Sequence, residues 1–131
     1  MKIHTAFVFA GVVLLCGCAQ MRNTPDSSAY EANMRHAEET YSECVTREAE
    51  KEMNNPVRVE DMAIAAHGRC WSEWEAYRTA TKDAFSHDAR SREEIQFATD
   101  RTEAHLRQFE RDTRRGVIDH IVERTLSKKA P

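Results

Sequence analysis

The chain has 131 residues, 19 Lys and Arg against 22 Asp and Glu, and a net charge of −3. That length holds one small domain, and so mild a charge balance excludes general nucleic-acid binding, which needs concentrated basic charge. Few glycines (4) and no Gly-rich loop exclude phosphate cradling of the P-loop or dinucleotide type.

The chain opens on Lys2 and an apolar run from Ala6 to Leu15, a length that suits a secretory signal better than a membrane span. Leu15-Cys16-Gly17-Cys18 follows directly. These four residues resemble the lipobox of bacterial lipoproteins: an aliphatic residue, two small residues, then the cysteine that is acylated and becomes residue one. Cys18 fits that place, whereas Cys16 would set the bulky Leu15 where a small residue belongs. The resemblance implies removal of residues 1–17, a lipid-anchored Cys18, and a Gram-negative-type or similar envelope. Ala19 stands where an aspartate would retain the protein at the inner membrane of enteric bacteria, so the resemblance favours the outer membrane, facing the periplasm. Two or more acyl chains give stable anchoring where a single one is marginal.

The 114 residues that remain carry a net charge of −4 and only two leucines, Leu106 and Leu126. A core so thin needs a staple or a partner. Residues 18–27, polar and aperiodic with one proline, read as a flexible tether, and residues 28–131 as the helical domain.

A first helix is predicted to begin at Ser27 or Ser28, since Ser28-Ala29-Tyr30-Glu31 has capping-box spacing. Tyr30, Met34, Ala37, Tyr41 and Cys44 then recur at steps of four and three along one face. The pattern weakens at Glu48 and ends at Met53-Asn54-Asn55-Pro56. A second helix begins at Val59-Glu60-Asp61, its acids placed well for the helix dipole. Its predicted stripe is Ala63, Ala66, Cys70, Trp74, Tyr77, Ala80 or Thr81, and Ala84, fading at Ser86-His87-Asp88. Gly68, inside it, suggests close packing, since glycine there costs about 1 kcal/mol relative to alanine. Ser91-Arg92-Glu93-Glu94 is another capping box and opens a third helix, with Ile95, Ala98, Thr102, Leu106, Phe109, Thr113 and Val117 as its stripe. Gly116 leaves two alternatives: one long helix, or a break with a short fourth helix over Val117–Leu126. With no strand pattern in residues 18–131, the fold class is all-α: a disulfide-clasped antiparallel hairpin plus a long third helix.

Cys44 and Cys70 average to position 57, the middle of the turn between the first two helices, so antiparallel packing brings them level. The same register sets Ala37 against Tyr77, Met34 against Ala80 and Tyr30 against Ala84, large opposite small each time. In an oxidising compartment the pair forms a disulfide. The alternative use is a metal site of Cys44, His67 and Cys70, with Glu43 or Glu48 as a fourth ligand. Its spacing is no recognised zinc signature and oxidation consumes both sulfurs, so no metal and no other cofactor is expected. His36, His87, His105 and His120 share no consistent spacing and read as solvated or partly buried helix residues.

Trp71, Trp74 and Tyr77 make an aromatic band. It is either covered by Phe97, Leu106 or Phe109 of the third helix, or left exposed as a partner surface. Residues 26–61 hold ten acids and four bases and residues 89–131 eight acids and ten bases, which predicts pairing between oppositely charged helices. Arg111, Arg114, Arg115, Lys128 and Lys129 make the C-terminal third locally basic.

No nucleophile elbow, metalloprotease motif or walled-in carboxylate pair is present. The expectation is a non-enzyme with no small-molecule substrate: a membrane-tethered adaptor, pilotin-like or accessory, that binds another envelope protein. The two rivals are a self-associating structural lipoprotein and a metal-binding stress protein.

Overall fold

The computed structural model describes residues 25–128, and side chains from Ser27 onward. Four helices and no strand are found among them: α1 Pro25–Glu52, α2 Val59–Arg69, α3 Trp71–Ser86 and α4 Arg92–Ser127. Residues 1–24, which include the apolar run, Cys18 and most of the expected tether, lie outside the described residues. So does Lys129. Among the described residues no helix is long and apolar enough to cross a membrane.

The all-α hairpin with a long further helix is what the chain forms. α1 and the α2–α3 arm run antiparallel, joined by the turn over residues 53–58. There the Asn55 N–H donates to the Glu52 carbonyl (2.9 Å) and the Val57 N–H to that of Asn55 (2.8 Å). Cys44 and Cys70 are disulfide-bonded with Cα atoms 6.0 Å apart, as their equal distance from the turn requires. α4 returns along the hairpin and packs on the other three helices. The buried core is one cluster from all four helices, in which Tyr41, Val45, Cys70, Tyr77 and Ile121 are essentially sealed.

Three local expectations need correction. First, α1 starts at Pro25 rather than at Ser27 or Ser28, so residues 25–27 are helix and not tether. Proline suits a first turn, where its missing N–H would have had no intrahelical partner. Second, the arm from Val59 is two helices. Cys70 adopts φ −99° and ψ 29°, and its N–H is shared between the carbonyls of Ala66 and His67, both at 3.1 Å. The break falls on the residue tied across to α1. Third, a Cβ on Gly68 would meet nothing within 4 Å, so close packing is not the reason for that glycine. Tyr30 stacks on His87, one turn on from Ala84, with ring centroids 4.9 Å apart. A shallow cleft of about 500 Å³ separates it from Ala80 and Asp83.

At Gly116 the continuous alternative holds, with α4 helical throughout. The expected cap of α4 is present in full: the Glu94 N–H donates to Ser91 Oγ (3.1 Å), and the Ser91 N–H donates to Glu94 Oε2 (2.8 Å). Along α4, Ala98, Thr102, Leu106 and Val117 are buried as the stripe requires. Thr102 satisfies its hydroxyl on the Ala98 carbonyl (2.8 Å). Ile95 departs from the stripe and is 52 % exposed, because the first turns of α4 project past the end of α3.

Two stability outcomes follow. Closing the loop between Cys44 and Cys70 stabilises the fold by about 3–4 kcal/mol on the chain-entropy account. Urea unfolding of the oxidised protein against Cys44→Ala/Cys70→Ala should show a loss of that size. Gly116→Ala should raise stability by about 0.5–1 kcal/mol in the same assay, since the added methyl meets open space.

Candidate functional site

Helical spacing on α3 sets Trp74 and Tyr77 on the face that meets α1 and α4, and both are buried. They belong to the core and form no partner surface. Trp71, one residue beyond the break, is 53 % exposed. Of the side chains expected to cover the band, Leu106 and Phe109 do so. Phe109 stacks on Trp74 (6.5 Å, interplanar angle 4°) and tilts against Tyr77 at 4.5 Å. Phe97 does not, being 69 % exposed at the other end of the bundle.

The rings form a continuous layer. Trp71 meets His67 edge-on (6.1 Å), His67 meets Tyr41 and Trp74, and Trp74 passes contact through Phe109 to Tyr77. Tyr77 then meets His105, and His105 meets Phe85, over which the Arg101 guanidinium sits at 4.4 Å. Aromatic pairs at such separations add to what burial alone contributes.

Two buried phenols end on imidazoles. Tyr41 Oη lies 2.6 Å from His67 Nδ1, and Tyr77 Oη 2.7 Å from His105 Nε2. Burial raises the pKa of Tyr41 well above the ordinary phenol value, with Glu110 adding to the rise and Arg114 opposing it. Burial likewise pushes Tyr77 up to about 12, helped by Glu38. Both hydroxyls therefore stay protonated and can donate to a neutral imidazole nitrogen. The pairs serve to satisfy polar atoms within an apolar layer. The space beside Tyr41 and His67 is only about 10 Å³, no larger than a single water requires.

The Tyr41 bond also decides the geometry around the sulfurs. His67 is turned to the phenol, and the side chain that approaches the two sulfurs is Glu73, within 4.8 Å. The alternative ligand trio of Cys44, His67 and Cys70 is not assembled, and the disulfide occupies both thiols. Glu48 pairs with Lys51, while Glu43 is exposed.

On the outer side of the break, Ile64 (53 % exposed) precedes His67 by three residues, and His67 leads on to Trp71. Ile64, His67 and Trp71 thus mark an outward apolar strip on α2 and the start of α3. Sequence reasoning missed Ile64. Its signal is a large aliphatic residue next to, but off, the Ala63–Ala66–Cys70 stripe.

Charge pairing between helices is sparser than the composition suggests. Among the described residues the ion pairs that join helices are Glu52–Arg69 and the contacts of Glu50 with His120 (2.8 Å) and Arg124. Arg114 pairs within α4 to Glu110 (3.1 Å), and Arg111 donates to Gln108 (2.7 Å). His36 is exposed, and His87, His105 and His120 are partly buried.

Searches of protein-family models, curated proteins and solved structures find no match to this chain.

Glu50 gives a pH prediction. Its hydrogen bonds from His120 and Arg124 hold its pKa below the ordinary 4.5. A carboxylate lowered in the folded state contributes stability that is complete above its unfolded value and is lost as pH falls through the folded one. The melting temperature of Glu50→Gln should therefore match a constant offset from wild type above pH 4.5, and that offset should shrink on acidification below it.

Proposed function

We propose that the chain is a lipid-anchored envelope protein whose helical domain is a binding module for another envelope protein. The observation that carries the reading is the lipobox-like Leu15-Cys16-Gly17-Cys18 placed only a few residues ahead of a disulfide-clasped helical domain. Export and acylation of Cys18 fit that sequence, and the Cys44–Cys70 bond fits an oxidising compartment. The placement favoured is the periplasmic side of the outer membrane.

The binding part of the reading is supported by the Ile64–Trp71 strip. An exposed tryptophan, with a further exposed isoleucine on the preceding helix, is the kind of anchor that protein interfaces use. The clefts among the described residues are open and shallow, and the histidines that could serve in acid–base work are committed to tyrosines or carboxylates. The reading therefore assigns no catalysis, no cofactor and no resident metal. It is a contact role, with the chain held near its partner by the lipid.

Palmitate labelling in cells should mark the wild-type chain and leave Cys18→Ser unmarked. A photo-crosslinking residue at Trp71 should give one discrete adduct in intact cells, whereas the same probe at exposed Arg111 should not. An unlabelled wild-type chain contradicts the anchor, and equal adducts at both positions contradict the binding strip.

A further inference from the structure

A second apolar feature lies at the opposite end of the bundle, where α1 begins. Tyr30 of α1 stacks on His87 at the end of α3, which places Pro25, the turn over residues 87–91 and the first turns of α4 at the same end. That end exposes Ile95 (52 %) and Phe97 (69 %). Beside Phe97 a cleft of about 430 Å³ opens between Phe85, Ala89 and Ala98, rimmed by Asp88 and Glu93. None of these residues contributes to the Ile64–Trp71 strip, which lies at the far end of α3, roughly 20 Å away along its axis.

We infer that this end docks on the lipid bilayer, with Phe97, at the mouth of the cleft, entering the interfacial layer. The inference rests on the proposed acylation of Cys18 and adds which part of the domain meets the membrane. Seven peptide steps join Cys18 to Pro25, a span of at most about 25 Å when fully extended. Any anchor at Cys18 therefore keeps the Pro25 end within reach of the surface. A tether this short raises the local lipid concentration enough for one exposed aromatic side chain to bind. The charge at this end sets the lipid preference. The acids Asp88, Glu93 and Glu94 at this end outnumber the exposed bases Arg90 and Arg92, so a zwitterionic surface is favoured over an anionic one. The docked orientation turns the Trp71 strip away from the membrane, toward a partner.

The test supplies the anchor chemically. The chain from Cys18 onward, which carries every described residue, is coupled through the Cys18 thiol to a maleimide lipid in phosphatidylcholine vesicles; the other two cysteines are closed in the disulfide. The reporter is Phe97→Trp in a Trp71→Phe background, compared with the same coupling of wild type, whose exposed indole is Trp71. Brominated acyl chains should quench the Phe97→Trp emission strongly and leave wild-type emission nearly unchanged. Without coupling, neither reporter should be quenched, because the tether supplies the local lipid concentration. Replacing part of the phosphatidylcholine by phosphatidylglycerol should weaken the quenching of the coupled Phe97→Trp reporter.

Three outcomes would overturn the inference: a Phe97→Trp emission indifferent to brominated lipid, equal quenching of both reporters, or a blue shift that grows with protein concentration in the absence of vesicles, which would assign the cleft to a second copy. Because the anchor is supplied by chemistry, failure of palmitate labelling in cells would count against acylation and not against the contact measured on vesicles.

Discussion

The bond between Cys44 and Cys70 is the constraint on which the rest of this structure depends. It ties α1 to the junction of α2 and α3 at a residue that is wholly buried, and the layer of rings is built on either side of that junction. A domain with two leucines in residues 18–131 cannot rely on aliphatic bulk. It uses a covalent link to reduce the entropy of the unfolded chain and large aromatic side chains to fill the interior. The phenols bring a polar end with them, and His67 and His105 satisfy those ends from the neighbouring helix. Disulfide, aromatic layer and imidazole partners therefore form one device.

The same device explains the division of labour along the molecule. Below the junction, α3 and α4 are zipped by Tyr77, Phe85, His105 and Arg101. Above it, Val117 and Ile121 of α4 close on α1 and α2, with Glu50, His120 and Arg124 as a polar seam outside. Two of the exposed apolar features fall where this packing gives out. One is on the outer side of the break, at Ile64 and Trp71. The other is at the projecting start of α4, at Ile95 and Phe97. In the proposed reading these two features face different things, a protein and a membrane.

Much of this was legible in the residues, for identifiable reasons. Helical periodicity of 3.6 located the buried faces of α1, α3 and α4. The midpoint of Cys44 and Cys70 at the turn gave the register, because two antiparallel rods must bring equidistant residues level. Ser91 and Glu94 declared the start of α4 because capping is a local interaction. What was not legible depends on the third dimension. The break at Cys70 carries no proline, and the glycine two residues earlier sits in an ordinary helical turn, so the junction shows only once the cross-link exists. Tyr41–His67 and Tyr77–His105 join residues 26 and 28 positions apart, which no periodicity within a helix can reveal. Ile95 fits its stripe by spacing and is exposed because its partner helix has already ended. The burial of Val45, Ala49 and Ile121 followed from three helices converging on α1, where the pattern had assumed two. The candidate site was legible in part: the aromatic band was right as a cluster, but its members divide between core and surface according to a break the sequence does not announce.

Native-state hydrogen exchange, followed residue by residue in the oxidised and the reduced protein, tests the central claim most directly. Amides around Cys44 and Cys70, together with those of the ring-bearing segments at Tyr41, Trp74 and Tyr77, should open only with global unfolding in the oxidised protein. On reduction they should lose protection ahead of the remainder of α4. If reduction leaves that ranking unchanged and lowers protection evenly across all four helices, the disulfide is not what organises the bundle.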